Sequence, residues 1–328
     1  MFFDPLTNVA GPVVRAALAG GVALVLMLIV MPWAIRRLRR LCTDTNASPS
    51  PMLRQLHAAK HATPSMGGAV IVAVWMLTVV VLADLRCGTV LLALVATAGM
   101  AAVGAVDDLR KRVKHGSGLS RQQKLAGQCV VAAMVAAGLA HLRDDGAAAW
   151  SMIPWATLVM VASANAVNLT DGLDGLAAGC SLWSAGALAL MVVATAAAAN
   201  RGELLVLLGA LVGVLAGFLW FNRHPARVFM GDTGSLALGG LLGYLAIVAD
   251  VQFLWPLVAG VFVVETLSVI AQVAWFRATQ RRLLRCAPLH HHFQFLGWSE
   301  PSIVAAFRNA AACCAIVGVA ASYILWPL

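Results

Sequence analysis

The sequence predicts an all-α polytopic membrane protein with about ten transmembrane helices, and three observations support this fold class. The chain has 328 residues, of which 61% are hydrophobic and 11% are charged, whereas a soluble domain is about 45–50% apolar and about 25% charged. Its mean hydropathy is +0.86. Apolar runs recur along the whole chain, and their lengths are close to the roughly 20 residues that a helix needs to cross a bilayer. We therefore exclude soluble enzymes and disordered proteins and expect a single integral-membrane domain over residues 1–328.

Ten apolar segments follow one another, and each predicts one transmembrane helix. They cover roughly residues 13–35, 66–85, 88–106, 126–142, 150–166, 173–199, 203–222, 233–250, 253–276 and 303–326. The first follows Phe2, Phe3 and Asp4 rather than a basic stretch, so we expect a helix and not a cleavable signal peptide.

Basic residues are divided unequally between alternate connections of these segments. One side holds 19 of the 23 Lys and Arg residues, and the other holds only Arg15, Arg86, Arg143 and Arg201. Because basic loops stay in the cytoplasm, we expect the rich loops to be cytoplasmic and both termini to lie outside. The net charge of +9 is then explained by loops that face anionic membrane lipid, and we expect no nucleic-acid binding.

The acidic residues at the cytoplasmic ends of the segments indicate where chemistry occurs, because an ionisable group near hydrocarbon is costly and usually functional. Asp107 and Asp108 end the third segment beside Lys111. Adjacent carboxylates can hold a divalent cation or act as a base. They can also be a charged helix end with local ion pairs, and both interpretations stay open.

The segment after the fifth predicted helix is more specific, since it reads NAVNLTDGLDGLAAG over residues 165–179. Asn165, Asn168, Asp171 and Asp174 recur every three residues, so a helical turn would align them on one face. Amide and carboxylate groups suit the donors and acceptors of a nucleotide or a sugar. We therefore expect this face to bind a polar substrate.

A third acidic position lies in the loop RHPARVFMGDTGSLALGG, where Asp232 follows Phe229 and Gly231. An Asp at a helix start can be an N-cap. A carboxylate in a glycine-flanked loop also suits Mg²⁺, which is commonly held by one or two carboxylates plus substrate phosphates.

Histidines and a lysine complete the candidate site. His290, His291 and His292 are consecutive in the last cytoplasmic loop, where imidazoles beside a phosphate can donate hydrogen bonds or act as acid and base. Lys60 and Thr63 stand at the entry to the second segment, and a lysine there can contact phosphate or lipid headgroups.

Taken together, these motifs resemble the polyprenyl-phosphate N-acetylhexosamine-1-phosphate transferase superfamily, and within it the phospho-N-acetylmuramoyl-pentapeptide-transferase family. The resemblance covers residues 60 to about 308. The matching motifs are KHATPSMGG, DDLRK, GLSRQQKLAGQ, NAVNLTDGLDGLAAG, FMGDTGSLALGG, ETLSVIAQVAWFRAT and APLHHHFQFLGWSE. Gln294 departs from the pattern, because a Glu commonly follows the His run.

The resemblance implies a Mg²⁺-dependent enzyme of the bacterial inner membrane. Such an enzyme transfers phospho-MurNAc-pentapeptide from UDP-MurNAc-pentapeptide to undecaprenyl phosphate, giving lipid I and UMP. A homodimer is left open. The resemblance also implies a ninth helix that is broken near Glu265 or Pro256 and bends into the bilayer.

The roles that the resemblance implies fall on the motif positions of this chain. The catalytic residues would be Asp107, Asp108, Asp232 and His291, with Asp232 as the metal ligand. The substrate-binding residues would be Lys60, Thr63, Lys124, Asn165, Asn168, Asp171, Asp174, Phe229, Gln272, His290 and His292.

Two other functions are compatible with a chain of this kind. A UDP-GlcNAc:polyprenyl-phosphate GlcNAc-1-phosphate transferase would share the fold, but such relatives usually carry a different His motif in the last loop. An ion-coupled transporter would place its carboxylates near the bilayer midplane, whereas here Asp107, Asp171 and Asp232 fall at one membrane surface.

Overall fold

The computed structural model of the chain describes residues 5–41, 63–113, 117–143, 146, 150–194 and 200–325. Throughout these ranges the regular elements are helices. They are α1 (Pro5–Leu41), α2 (Gly68–Leu82), α3 (Gly88–Val113), α4 (Arg121–Arg143), α5 (Ile153–Thr170), α6 (Leu176–Ala194), α7 (Arg201–Asn222), α8 (Gly231–Val248), α9 (Trp255–Val258), α10 (Gly260–Thr279), α11 (Leu289–Phe295) and α12 (Glu300–Leu325).

The ten predicted segments correspond to ten apolar helices, namely all of these except the short α9 and α11. Among the described residues, nine helices are long and apolar enough to cross a membrane, and α2 is a shorter apolar helix of 15 residues. This confirms the polytopic all-α fold class. The side of the membrane on which the termini lie stays a prediction.

Helix α8 lies at the centre of the bundle. Every residue from Thr233 to Val248 is buried, and the helix packs against α2, α3, α5 and α6. Glycines permit this close packing, since a Cβ on Gly239 would lie 2.7 Å from the Cα of Ala164 on α5. Because α8 begins at Gly231, the central helix carries Asp232 at its first turn.

Helix α3 continues beyond its apolar segment and includes Asp107, Asp108 and the basic residues up to Val113. An ion pair between Asp107 and Lys111, one turn apart and 2.8 Å long, supports this polar end. The carboxylates are therefore held on a helix rather than in a loop.

The ninth transmembrane segment is interrupted, as the resemblance implies. The break is at Ala259, between α9 and α10, and Pro256 stands in the first turn of α9. The alternative prediction, a break near Glu265, is wrong, because Glu265 lies inside the continuous helix α10.

Candidate active site

The ends of α3, α4 and α8 bring carboxylates and lysines together. Lys111 Nζ lies 2.8 Å from Asp107 Oδ2 and 2.8 Å from Asp232 Oδ2. Lys124 Nζ, from the first turn of α4, lies 2.7 Å from the same oxygen of Asp232. Asp232 reaches this position because Gly231 has a positive φ of 75°, which glycine adopts without steric cost.

Asp108 has different partners from its neighbour Asp107. Its carboxylate accepts hydrogen bonds from Asp232 N (3.2 Å), from Thr233 N (2.9 Å) and from the Thr233 hydroxyl (2.7 Å). These backbone groups are donors that the start of α8 leaves without helical partners. Asp108 thus caps α8 from a neighbouring helix, a contact that the DD motif alone does not reveal.

Asn168 links this cluster to α5. Its Nδ2 donates to Asp232 Oδ1 and to Ser235 Oγ, each at 2.8 Å, while its Oδ1 accepts from Lys124 Nζ at 3.0 Å. Asn165 lies one turn deeper and pairs with Gln128 of α4 and with the carbonyl of Val161. Both asparagines therefore lie on one face of α5, as the three-residue spacing predicts, and this face meets α4.

The expectation that Asp171 and Asp174 continue this helical face is wrong. Helix α5 ends at Thr170, and Asp171 follows as its C-cap residue with a non-helical ψ of 57°. The chain then turns at Gly175, whose φ is 76°. Asp171 and Asp174 accordingly lie in a loop, residues 171–175, which we call the DGLDG loop. Burial, together with the charges of Asp232 and Asp108, raises the pKa of Asp171 to about 7.

The DGLDG loop is held at its second half by three elements. The Asp174 carboxylate accepts from His224 Nδ1 at 3.1 Å and from Ala226 N at 3.0 Å. Its backbone N–H donates to Glu300 Oε1, at the start of α12, at 2.7 Å. Gly175 N donates to Asn222 Oδ1, at the end of α7, at 3.1 Å. Loops distant in sequence therefore converge on Asp174.

Two groups of side chains have the donor atoms for a divalent metal. Within the described ranges, ligand atoms of Asp174, His224 and Glu300 all lie within 4.8 Å of one another. The second group is the oxygen set of Asp107 and Asp232. Its all-oxygen character suits Mg²⁺, whereas a set that includes an imidazole also suits softer metals.

The three histidines have three different environments. His290 is fully buried beside Glu265, whose Oε1 accepts its backbone N–H at 3.2 Å. His291 Nδ1 lies 2.8 Å from Gln294 Oε1, at the position where the family pattern has a Glu. His292 Nδ1 accepts from Arg285 N at 3.2 Å. The run is thus not one cluster of ligands.

The remaining expected site residues fall around this centre. Residues 63–68 pair with the loop before α8, where Phe229 N donates to Pro64 O at 2.9 Å and Thr63 Oγ1 donates to Ala226 O at 3.4 Å. Gln272 is turned to the chain after α10, and its Oε1 accepts from Leu284 N at 2.8 Å. Lys60 lies outside the described residues.

Several residues that organise the site were not among the site residues expected from the sequence. They are Lys111, Asn222, His224, Glu265 and Glu300. Glu265 and Glu300 stand at the ends of the motifs ETLSVIAQVAWFRAT and APLHHHFQFLGWSE, so their presence in those motifs was the available signal.

Comparison with known proteins shows similarity over nearly the whole chain. Residues 90–250 match the glycosyl transferase family 4 model. A phospho-N-acetylmuramoyl-pentapeptide-transferase of Moorella thermoacetica is 44% identical, over 90% of this chain and 95% of the relative. Proteins of the same name from Geobacter sp. (strain M21) and Syntrophus aciditrophicus are 40% and 38% identical. They are matched over 86% and 88% of their own length.

Proposed function

Because the chain belongs to the phospho-N-acetylmuramoyl-pentapeptide-transferase family, we propose that it transfers phospho-MurNAc-pentapeptide from UDP-MurNAc-pentapeptide to undecaprenyl phosphate. The products are lipid I and UMP, and the enzyme is a multi-pass protein of the bacterial inner membrane. The observation that carries this proposal is the 44% identity to a protein of that name over 95% of its length.

The cluster of Lys111, Lys124, Asp107 and Asp232 supports phosphoryl transfer. In such reactions, positioning and charge stabilisation do most of the catalytic work. The two ammonium groups meet at one oxygen of Asp232 and can bind the oxygens of a diphosphate. The cluster lies on helix ends, where a soluble nucleotide can meet a lipid phosphate whose tail stays in hydrocarbon.

Asp107 is our candidate for the base that takes the proton of the lipid phosphate. Asp108 already accepts three hydrogen bonds from the start of α8, so moving it would leave those donors unsatisfied. Asp107 shares Lys111 with Asp232 and accepts from Leu119 N. It can therefore exchange a proton without uncapping α8.

Magnesium fits the oxygen donors of this cluster, and we assign it to Asp232, with Asp107 beside it. When bound, Mg²⁺ would neutralise charge on the diphosphate and on the UMP leaving group. Asn168 holds the other oxygen of Asp232 at 2.8 Å, which fixes the orientation of the carboxylate. Asn168, Asp171, Asp174, Phe229, His291 and His292 remain our candidates for contacts with the nucleotide and sugar, whereas the fully buried His290 has no exposed surface for such a contact.

The test is a competition between donors. Purified protein receives undecaprenyl phosphate, Mg²⁺ and equal concentrations of UDP-MurNAc-pentapeptide and UDP-GlcNAc, and the lipid product is identified by mass spectrometry. We expect a muramoyl-pentapeptide lipid and stoichiometric release of UMP. A GlcNAc-bearing lipid as the main product would refute the substrate assignment.

A further inference from the structure

Glu265 is a buried carboxylate for which the transfer reaction provides no direct role. It lies on α10, and its side chain is fully buried, as is that of His290. Its Oε1 accepts the His290 backbone N–H at 3.2 Å and lies 3.2 Å from the ring atom Nδ1. Since a carboxylate buried within a membrane bundle is costly, its contact with His290 indicates what it does.

The opposite edge of the His290 ring rests on the DGLDG loop. A Cβ added to Gly172 would overlap His290 Nε2, so the imidazole lies directly against the Gly172 backbone. Gly172 is the residue that separates Asp171 from the rest of the loop. A displacement of the His290 ring would therefore remove its contact with the Gly172 backbone, next to Asp171.

Within the described part of the chain, the Glu265 carboxylate accepts its hydrogen bond from the backbone N–H of His290. Glu265 Oε2 and both ring nitrogens of His290 are buried without a hydrogen-bond partner there. Glu265 thus holds His290 through its backbone N–H, and the ring is fixed by its packing between the carboxylate and Gly172. Neighbouring α11 has only seven residues, too few for its position to be set by its own helical stability.

We propose that Glu265 is a positioning residue that holds His290 against Gly172 and so sets the position of the DGLDG loop in the active site. The consequence for catalysis rests on the proposed function, because there the loop contacts the donor. The anchoring itself is independent of that function and can be measured without turnover.

The first experiment measures the anchoring by the reactivity of histidines toward diethyl pyrocarbonate, read out by peptide mass spectrometry. In the wild type, buried His290 should react slowly, while His224, with 43% of its side chain exposed, should react fast. Glu265→Leu removes the acceptor and should speed His290 modification at least about tenfold, the equivalent of about 1.4 kcal/mol. Glu265→Gln keeps an acceptor oxygen and should stay near the wild type.

The matched control is Thr266→Val, the next residue on α10. Among the described residues, its hydroxyl donates to Phe262 O of its own helix, at 2.8 Å, so His290 should react as in the wild type. If Glu265→Leu does not fold, Gly172→Ala serves instead, because its methyl group must displace the His290 ring. Unchanged His290 reactivity in the folded Leu or Ala variant would overturn the anchoring role.

The second experiment asks whether the anchoring acts on catalysis through Gly172. Glu265→Leu and Gly172→Ala should each lower kcat at least about tenfold, and the double variant should lose little more, since both break one contact. Glu265→Gln should recover most of kcat. The proposal would be overturned if the kcat losses of the two single variants multiplied in the double variant. It would also be overturned if Glu265→Leu kept the wild-type kcat. A wild type that releases no UMP would refute the proposed function, while the histidine reactivity still decides the anchoring.

Discussion

Two adjacent aspartates in this protein have different contacts, although the sequence presents them as one DD pair. Asp107 faces Lys111 and the loop before α4, and Asp108 caps α8. Which neighbour each side chain meets depends on the packing of α3 against α8. The sequence predicts that both carboxylates lie at the site, but it cannot tell which of them caps α8, because that contact is tertiary.

These different contacts predict different results for two matched variants, Asp107→Asn and Asp108→Asn. Asp107→Asn leaves the cap of α8 in place and keeps an oxygen that can accept from Leu119 N. It should therefore lower the thermal midpoint less than Asp108→Asn does, while it loses most of kcat. Asp108→Asn turns an amide group toward the N–H donors of α8 and should cost about 1 kcal/mol or more of stability, seen as a lower thermal midpoint. Equal thermal midpoints for the two variants would contradict the capping role.

Removing the charge of Asp232 tests the assignment of the metal. Asp232→Asn should lower kcat by about a hundredfold or more, as the loss of other preorganised charge-stabilising groups does, and should raise the Mg²⁺ concentration needed for half-maximal rate. The control is Asp250→Asn, since Asp250 pairs with Arg143 at the other end of the same helix. Near-normal activity of Asp232→Asn at low Mg²⁺ would exclude the metal role.

At the scale of elements, hydropathy predicted the existence and order of the ten apolar helices, because burial in lipid demands long apolar runs. It did not predict their polar ends. Helix α3 continues through Asp107 to Val113 where the apolar pattern has stopped, and α5 ends at Thr170 where the spacing of polar residues suggested continuation. Such ends are decided by ion pairs and by contacts between loops, which a single-sequence pattern does not contain.

The contact between α3 and α8 beneath the site predicts a sharp effect of one methyl group. A Cβ on Gly104 would overlap the carbonyl of Asp232 and lie 2.6 Å from Thr233 N. Gly104→Ala should therefore separate the helices, lower the thermal midpoint and reduce kcat together. Gly186→Ala is the control, since no described atom beyond its own helical turn lies within 4 Å of the added Cβ and alanine favours a helix. Equal behaviour of the two variants would contradict this packing.

For the whole molecule, the unequal distribution of basic residues predicts orientation. In a cysteine-free background, Arg86→Cys should react with a membrane-impermeant maleimide in intact cells. Arg121→Cys should react only after the membrane is opened. Both side chains are exposed, so access depends on the side of the membrane alone. The reverse pattern would place the carboxylate cluster outside and remove it from its nucleotide substrate.

The burial of α8 has a consequence for how the protein behaves once it is extracted. Annular lipids, the shell in direct contact with the protein, touch the surrounding helices, because residues Thr233–Val248 are all buried. A harsh detergent must therefore separate the outer helices of the bundle before it reaches α8, the helix that carries Asp232. Inactivation in such a detergent should appear as a shrinking population of fully active molecules, with an unchanged turnover number for every molecule still folded.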